Sequence, residues 1–127
     1  MLVVAAVIER DGRILIGQRR SCDSHPFKWE FPGGKVEPRE TLEDALIREL
    51  REELAIEASI GAEIARYDRS PIQLIFYQII EFKGEPRNLA FEQILWEAPS
   101  RLPEYDFLDG DIEFVQSIAT PRDAPTH

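Results

Sequence analysis

The stretch from Thr41 to Leu54 constrains the fold more than any other part of the chain. Its apolar residues recur with a helical period, and Thr41 with Asp44 three positions on forms a near relative of the capping box. On a wheel of roughly 100° per residue with Glu49 at zero, Leu46, Leu50 and Leu54 fall near 60°, 100° and 140°. That stripe must be buried against something. On the same wheel Glu53 falls near 40° and Glu52 near −60°, so the acidic residues border the buried stripe instead of facing away from it.

The flanking sequence supplies strands for the helix to pack on. Val3 to Ile8 and Ile14 to Gly17 are apolar runs separated by Arg10-Asp11-Gly12-Arg13, and the Asp-Gly pair predicts a β-hairpin. Ser21 to Lys28 reads as a connecting loop, and Trp29-Glu30-Phe31 as a short strand broken by Pro32-Gly33-Gly34. After the helix, Ala58 to Tyr67 and Ile72 to Phe82 return to strand, the second too branched and aromatic for a favoured helix. Ile94 to Glu97 adds a further short strand, Pro99 to Asp106 reads as loop, and Asp109 to Ile118 as a second helix. This order predicts an α/β class protein: an α/β/α sandwich on a mixed β-sheet, one domain over residues 1–119, with a disordered tail over 120–127.

Length and charge exclude several kinds of function. A chain of 127 residues with 43% hydrophobic content builds a core without crosslinks, and the only cysteine, Cys22, has no internal partner. A reducing cytoplasm is the expected location. The N-terminal apolar run is too short for a signal peptide or a membrane span. With 24 acidic against 15 basic residues the net charge is −9, which argues against a nucleic-acid polymer or an anionic membrane as partner. A small phosphate substrate remains compatible, because bound metal ions outweigh the protein's own charge locally.

Glu49, Glu52 and Glu53 occupy helix positions i, i+3 and i+4, within reach of one point. As mere solvated surface they would repel one another, with Arg48 placed to pair with Glu52 but not with Glu53. As a ligand set they suit Mg²⁺ or Mn²⁺, because oxygen-only donors with room for water and phosphate do not favour zinc. Upstream, Pro32-Gly33-Gly34-Lys35 forms a turn that either brings backbone close to a ligand or simply reverses the chain.

Taken together, Gly34, Glu40 and Arg48-Glu49-Leu50-Arg51-Glu52-Glu53-Leu54-Ala55-Ile56 resemble the signature box of the Nudix hydrolases. One position departs: the pattern has glycine after the helix where this chain has Ala55, so a left-handed cap there costs about 1 kcal/mol. The N-terminal hairpin, residues 29–35 and Phe107 to Val115 resemble the MutT-like branch of the family, which sanitises nucleotide pools. The resemblance extends to about residue 118.

It implies hydrolysis of a (deoxy)nucleoside triphosphate, with 8-oxo-dGTP a candidate, to the monophosphate and pyrophosphate. Alternatives within the family are ADP-ribose or a dinucleotide as substrate, and a regulator that binds a nucleotide without cleaving it. The implied metal ligands are Glu49, Glu52, Glu53 and a Gly33 or Gly34 carbonyl, holding Mg²⁺ with Mn²⁺ as substitute. Either Glu49 or Glu53 serves as general base; Arg48 orients the glutamates and Glu40 braces the loop before the helix. Arg20 and Lys35 match phosphate-binding cations. Glu30 and Phe31 match residues beside the base, and Asp111 matches a residue that reads the base edge. A further metal-binding glutamate found in several MutT-like enzymes aligns with Ala90, leaving Glu92 or Glu97 to replace it or fewer metals bound. Trp29 is expected in the core or the pocket wall; His25 lies in a loop within reach of a base or ribose, but a surface histidine without a role is the expected reading. The protein is expected to act as a monomer or a homodimer.

Overall fold

The computed structural model describes residues 1–119, so the tail expected to be disordered lies outside the described residues. The strands are β1 (Leu2–Val7), β2 (Glu9–Arg10), β3 (Arg13–Gln18), β4 (Trp29–Glu30), β5 (Gly33–Lys35), β6 (Glu57–Arg69), β7 (Ile72–Lys83) and β8 (Gln93–Glu97). The helices are α1 (Leu42–Leu54) and α2 (Asp109–Ala119). Among the described residues no helix is long and apolar enough to cross a membrane.

The expected mixed sheet has the order β5-β1-β7-β6, with β1 parallel to β7 and antiparallel to β5. Alternate residues of its central strands point to opposite faces. Val4, Ala6, Ile75, Tyr77 and Ile79 pack with Leu46, Leu50 and Leu54 of α1, while Ala5, Val7, Leu74 and Phe76 pack with Phe114 and Val115 of α2. The two helices therefore cover opposite faces, as the α/β/α reading requires. A second, antiparallel sheet, β2-β3-β4 with β8 on the other edge of β3, goes beyond that reading.

The N-terminal hairpin is shorter than expected. Its turn stands where the Asp-Gly pair put it, with Asp11 at φ 54° and Gly12 at φ 76°. Only Glu9 and Arg10 pair back onto β3, however, whereas β1 joins the other sheet. A strand apolar on both faces is best covered in a sheet's interior, and β1 finds that place beside β7.

Gly33 and Gly34 are a second correction, because they continue into β5 instead of turning the chain. Gly33 has no room for a side chain, since a Cβ there would lie 2.0 Å from the Val4 carbonyl oxygen, whereas a Cβ on Gly34 would lie 2.5 Å from the Glu49 carboxyl carbon and push that side chain aside. Residues Pro99–Glu104, expected as loop, form a 3-10 helix that buries Leu102. Proline at its first position loses no helical hydrogen bond, since that N–H has no partner there in any case.

Candidate functional site

Helix α1 begins where its cap requires: the Thr41 side chain accepts the Asp44 N–H at 3.0 Å. It ends at Ala55 in the left-handed conformation, φ 58°, with the Ala55 N–H bonded to the Arg51 carbonyl at 3.1 Å. The departure from glycine thus leaves the helix end in place. The buried leucine stripe fixes the helix rotation, which aims Glu49 and Glu53 at β5.

Glu53 lines a cavity of about 810 Å³ and accepts the Gly33 N–H at 2.9 Å. Burial, then the charges of Glu49 and Glu30, push its carboxyl up to about 9. Glu49 lies against Gly34 and accepts from Arg48 Nη1 at 3.0 Å, with its pKa raised by burial. Arg48 spans the neighbourhood. It donates to Glu40 through Nε at 2.7 Å and Nη2 at 2.9 Å, to the Lys35 carbonyl at 3.1 Å, and lies 3.4 Å from Glu52. The Arg48 guanidinium holds the Glu40 carboxyl down at about 2, and Glu40 also accepts the Glu37 N–H at 2.9 Å.

Glu52 stands apart, its side chain 58% exposed. Among the described residues no three acidic, histidine or cysteine side chains are gathered into a metal cage. Glu53 is bonded instead to the Gly33 N–H, and Glu49 and Glu52 to Arg48. The chemistry of the donors nonetheless fits a divalent cation: Glu53 is half-buried, has one neutral hydrogen-bond donor, and feels the charges of Glu49, Glu30 and Glu52. A cation would supply the missing positive charge through hard oxygen ligands.

Another part of the cavity lining differs in character. Phe31 is 3% exposed and stacks on Phe107 at 5.4 Å, and with Leu74 and Leu108 it forms an apolar wall. Asp111 is the only buried charged residue among the described residues, 5% exposed; burial and then Glu30 raise its carboxyl to about 7, against the pull of a Phe31 main-chain hydrogen bond. Glu30, its pKa also raised by burial, accepts from Arg19 Nη1 at 2.9 Å.

Of the residues read from the sequence, Glu30, Phe31, Gly33, Lys35, Glu53 and Asp111 line this one cavity, and Glu49 abuts it through Gly34. Arg20 is not in the lining; its Nε donates to the Phe91 carbonyl at 3.2 Å. Its neighbour Arg19 lines the cavity instead. The register Gln18↔Trp29 puts Arg19 diagonally across from Glu30, a pairing visible only once the strands are paired. His25, expected to be idle, also lines the cavity, with Lys28 and Arg69. Trp29 is 7% exposed and belongs to the core. Ala90 lines the cavity, whereas Glu92 does not, and Glu97 is engaged by the Tyr105 hydroxyl and the Ala98 N–H.

Strand order, the helix under β5 and the glutamates facing a deep cleft define an α/β enzyme-like site. The NUDIX domain pattern matches residues 1–118, and the chain belongs to that family. It is 39% identical to the CTP pyrophosphohydrolase of Escherichia coli over 96% of this chain and 93% of that protein. It is 37% identical to the 8-oxo-dGTP diphosphatase of Haemophilus influenzae over 91% of this chain and 89% of that protein. Among solved structures, the E. coli ORF135 protein superposes with a TM-score of 0.84 at 37% identity, covering 98% of this chain and 94% of that one. MutT from Aliivibrio salmonicida and Vibrio cholerae superposes with a TM-score of 0.83 at 28% identity over 92% and 94% of the two chains.

Proposed function

We propose that this chain is a nucleoside triphosphate pyrophosphohydrolase, using Mg²⁺ with Mn²⁺ as substitute, that releases the monophosphate and pyrophosphate. One observation carries this reading: a single cavity is lined both by a first, polar end, Glu53 and the Gly33–Lys35 strand, and by a second, largely apolar set, Phe31, Leu74 and Leu108 with Asp111. The first end suits a cation-bound diphosphate, the second an aromatic base with polar edges. The names of the relatives offer two candidate substrates, CTP and 8-oxo-dGTP, and both fit this two-ended design.

Glu49, Glu53 and a Gly33 carbonyl would hold the metal, with Glu52 turning in from solvent. When bound, the metal neutralises charge developing on the diphosphate and lowers the pKa of water. Glu49 or Glu53 takes the proton from the attacking water as one phosphoanhydride P–O bond breaks and pyrophosphate leaves. Arg48 keeps Glu49 oriented, Lys35 meets the phosphates, and Arg19 takes the cationic place beside the cavity that the family resemblance assigns to Arg20. The protein acts on free cytoplasmic nucleotides, as a monomer or a homodimer, and not on a nucleic-acid polymer.

The test is a substrate panel with Mg²⁺, comparing pyrophosphate and phosphate release from CTP, 8-oxo-dGTP, dGTP, ADP-ribose and a dinucleotide. Pyrophosphate from a triphosphate is the expected result. Cleavage of ADP-ribose or the dinucleotide alone would move the chain to another substrate class, and tight binding without cleavage would make it a regulator.

A further inference from the structure

The segment between β7 and β8, residues 84–92, contributes no carboxylate to the cavity, yet it touches the machinery in three places. Its main chain closes the end of α1: the Leu89 N–H reaches the Glu53 carbonyl at 3.0 Å and the Arg87 N–H reaches the Leu54 carbonyl at 2.8 Å. Those carbonyls have no partner within the helix itself. Ala90 then lines the cavity, and the Glu92 N–H returns to the Gln18 carbonyl of β3 at 2.8 Å.

Two side chains hold this path at one point, Phe91. Asn88 Oδ1 accepts the Phe91 N–H at 2.8 Å and Asn88 Nδ2 donates to the Phe91 carbonyl at 2.9 Å. From the other side Arg20 Nε donates to the same carbonyl at 3.2 Å. The Phe91 ring is buried over Gly17, where a Cβ would come within 2.6 Å of it. Loss of either polar partner frees a segment whose other anchors are the last carbonyls of the helix bearing Glu53.

We propose that Asn88 and Arg20 are positioning residues: by pinning the Phe91 main chain they hold residues 84–92 against the end of α1 and so set where Glu53 presents its carboxylate. The kinetic part of the test rests on the hydrolase reading above; the structural and metal-binding parts do not. Outer partners of metal ligands typically shift affinity or activity by about 10–100-fold when removed.

Wild type, Asn88→Ala, Asn88→Asp and Arg20→Ala are compared by amide exchange, by calorimetric Mn²⁺ binding without nucleotide, and by steady-state hydrolysis of CTP. In Asn88→Ala the Arg87 and Leu89 amides should exchange roughly tenfold faster, Mn²⁺ bind roughly tenfold more weakly, and kcat fall while KM for CTP stays within about twofold. Asn88→Asp keeps the acceptor for the Phe91 N–H and should fall between Asn88→Ala and wild type. The proposal is overturned if the Arg87 and Leu89 amides are not loosened, or if they are loosened while Mn²⁺ affinity stays at the wild-type value. Should Asn88→Ala fail to fold, Asn88→Asp and Arg20→Ala are judged by the same two criteria. A wild type that binds Mn²⁺ but leaves every nucleotide intact would refute the hydrolase reading alone, and one that binds no Mn²⁺ would refute both.

Discussion

The two faces of the mixed sheet are packed with different side chains. Beneath α1 lie mainly aliphatic residues, Leu46, Leu50, Leu54, Ile56, Ile75 and Ile79. Beneath α2 lies an aromatic cluster in which Phe76 stacks on Phe114 at 4.0 Å and Phe31 meets Phe76 edge-on at 5.6 Å. Branched aliphatics interlock in defined rotamers and fix a helix axis and rotation, which is what a set of glutamates needs. Of these rings only Phe31 reaches the cavity lining, and the others fix its place from behind. Each face also carries a shielded carboxylate, half-buried Glu53 on one and buried Asp111 on the other. Both meet a main-chain N–H and the charge of Glu30, but only the first also faces Glu49 and Glu52.

If this division holds, Glu53→Gln abolishes Mg²⁺-dependent pyrophosphate release, a loss of roughly 10³-fold or more, or about 4 kcal/mol of transition-state stabilisation. The circular dichroism spectrum should match wild type and Tm should hold or rise near neutral pH, because burial beside acidic neighbours raises the Glu53 carboxyl and glutamine has no proton to lose there; retained turnover would remove Glu53 from the chemistry. Next, Gly34→Ala drives a methyl group into the Glu49 carboxylate and should lower kcat by about 10²-fold, as small misplacements of catalytic groups do. Crystals of that variant should show Glu49 displaced.

The aromatic side should respond differently. Asp111→Asn should alter the ratio of kcat/KM for CTP and 8-oxo-dGTP more than it alters the better of the two kcat values. It should also change the pH dependence of stability. Folded Asp111 keeps its proton up to about 7, whereas an unfolded aspartate loses it near pH ~4. Between those limits the folded state holds the extra proton, so wild-type stability falls as pH rises through the window. Urea denaturation should therefore show Asp111→Asn gaining about 1–3 kcal/mol over wild type from pH 4 to pH 8. No growth in that difference would mean Asp111 is ionised throughout. The smallest effect is expected at Ala55→Gly, which relieves the left-handed cap and should raise stability by about 0.5–1 kcal/mol with unchanged turnover.

Features set by local chemistry are legible in the amino-acid sequence. The Thr41 cap, the leucine stripe and the Asp11-Gly12 turn each depend on residues a few positions apart, and each stands where it is expected. What eludes the sequence depends on pairing between distant strands. β1 leaves its hairpin for β7 because a partner some seventy residues away covers its apolar faces better. Arg19, not its neighbour, reaches the cavity because of the β3–β4 register. The Ala90 region can be aligned but not interpreted, since its role as a clasp on α1 runs through main-chain bonds that leave no trace in residue type.

The bond between Gly33 and Glu53 also bears on how the site should be probed. β5 is an edge strand, and the outward amides of an edge are places where a foreign chain can add itself. At Gly33 that vacancy is already filled by the glutamate. Truncating Glu53 to alanine would bare the amide as well as remove the acid, inviting self-association that mimics inactivation. Glutamine keeps a carbonyl in reach of the amide, so only the chemistry is taken away.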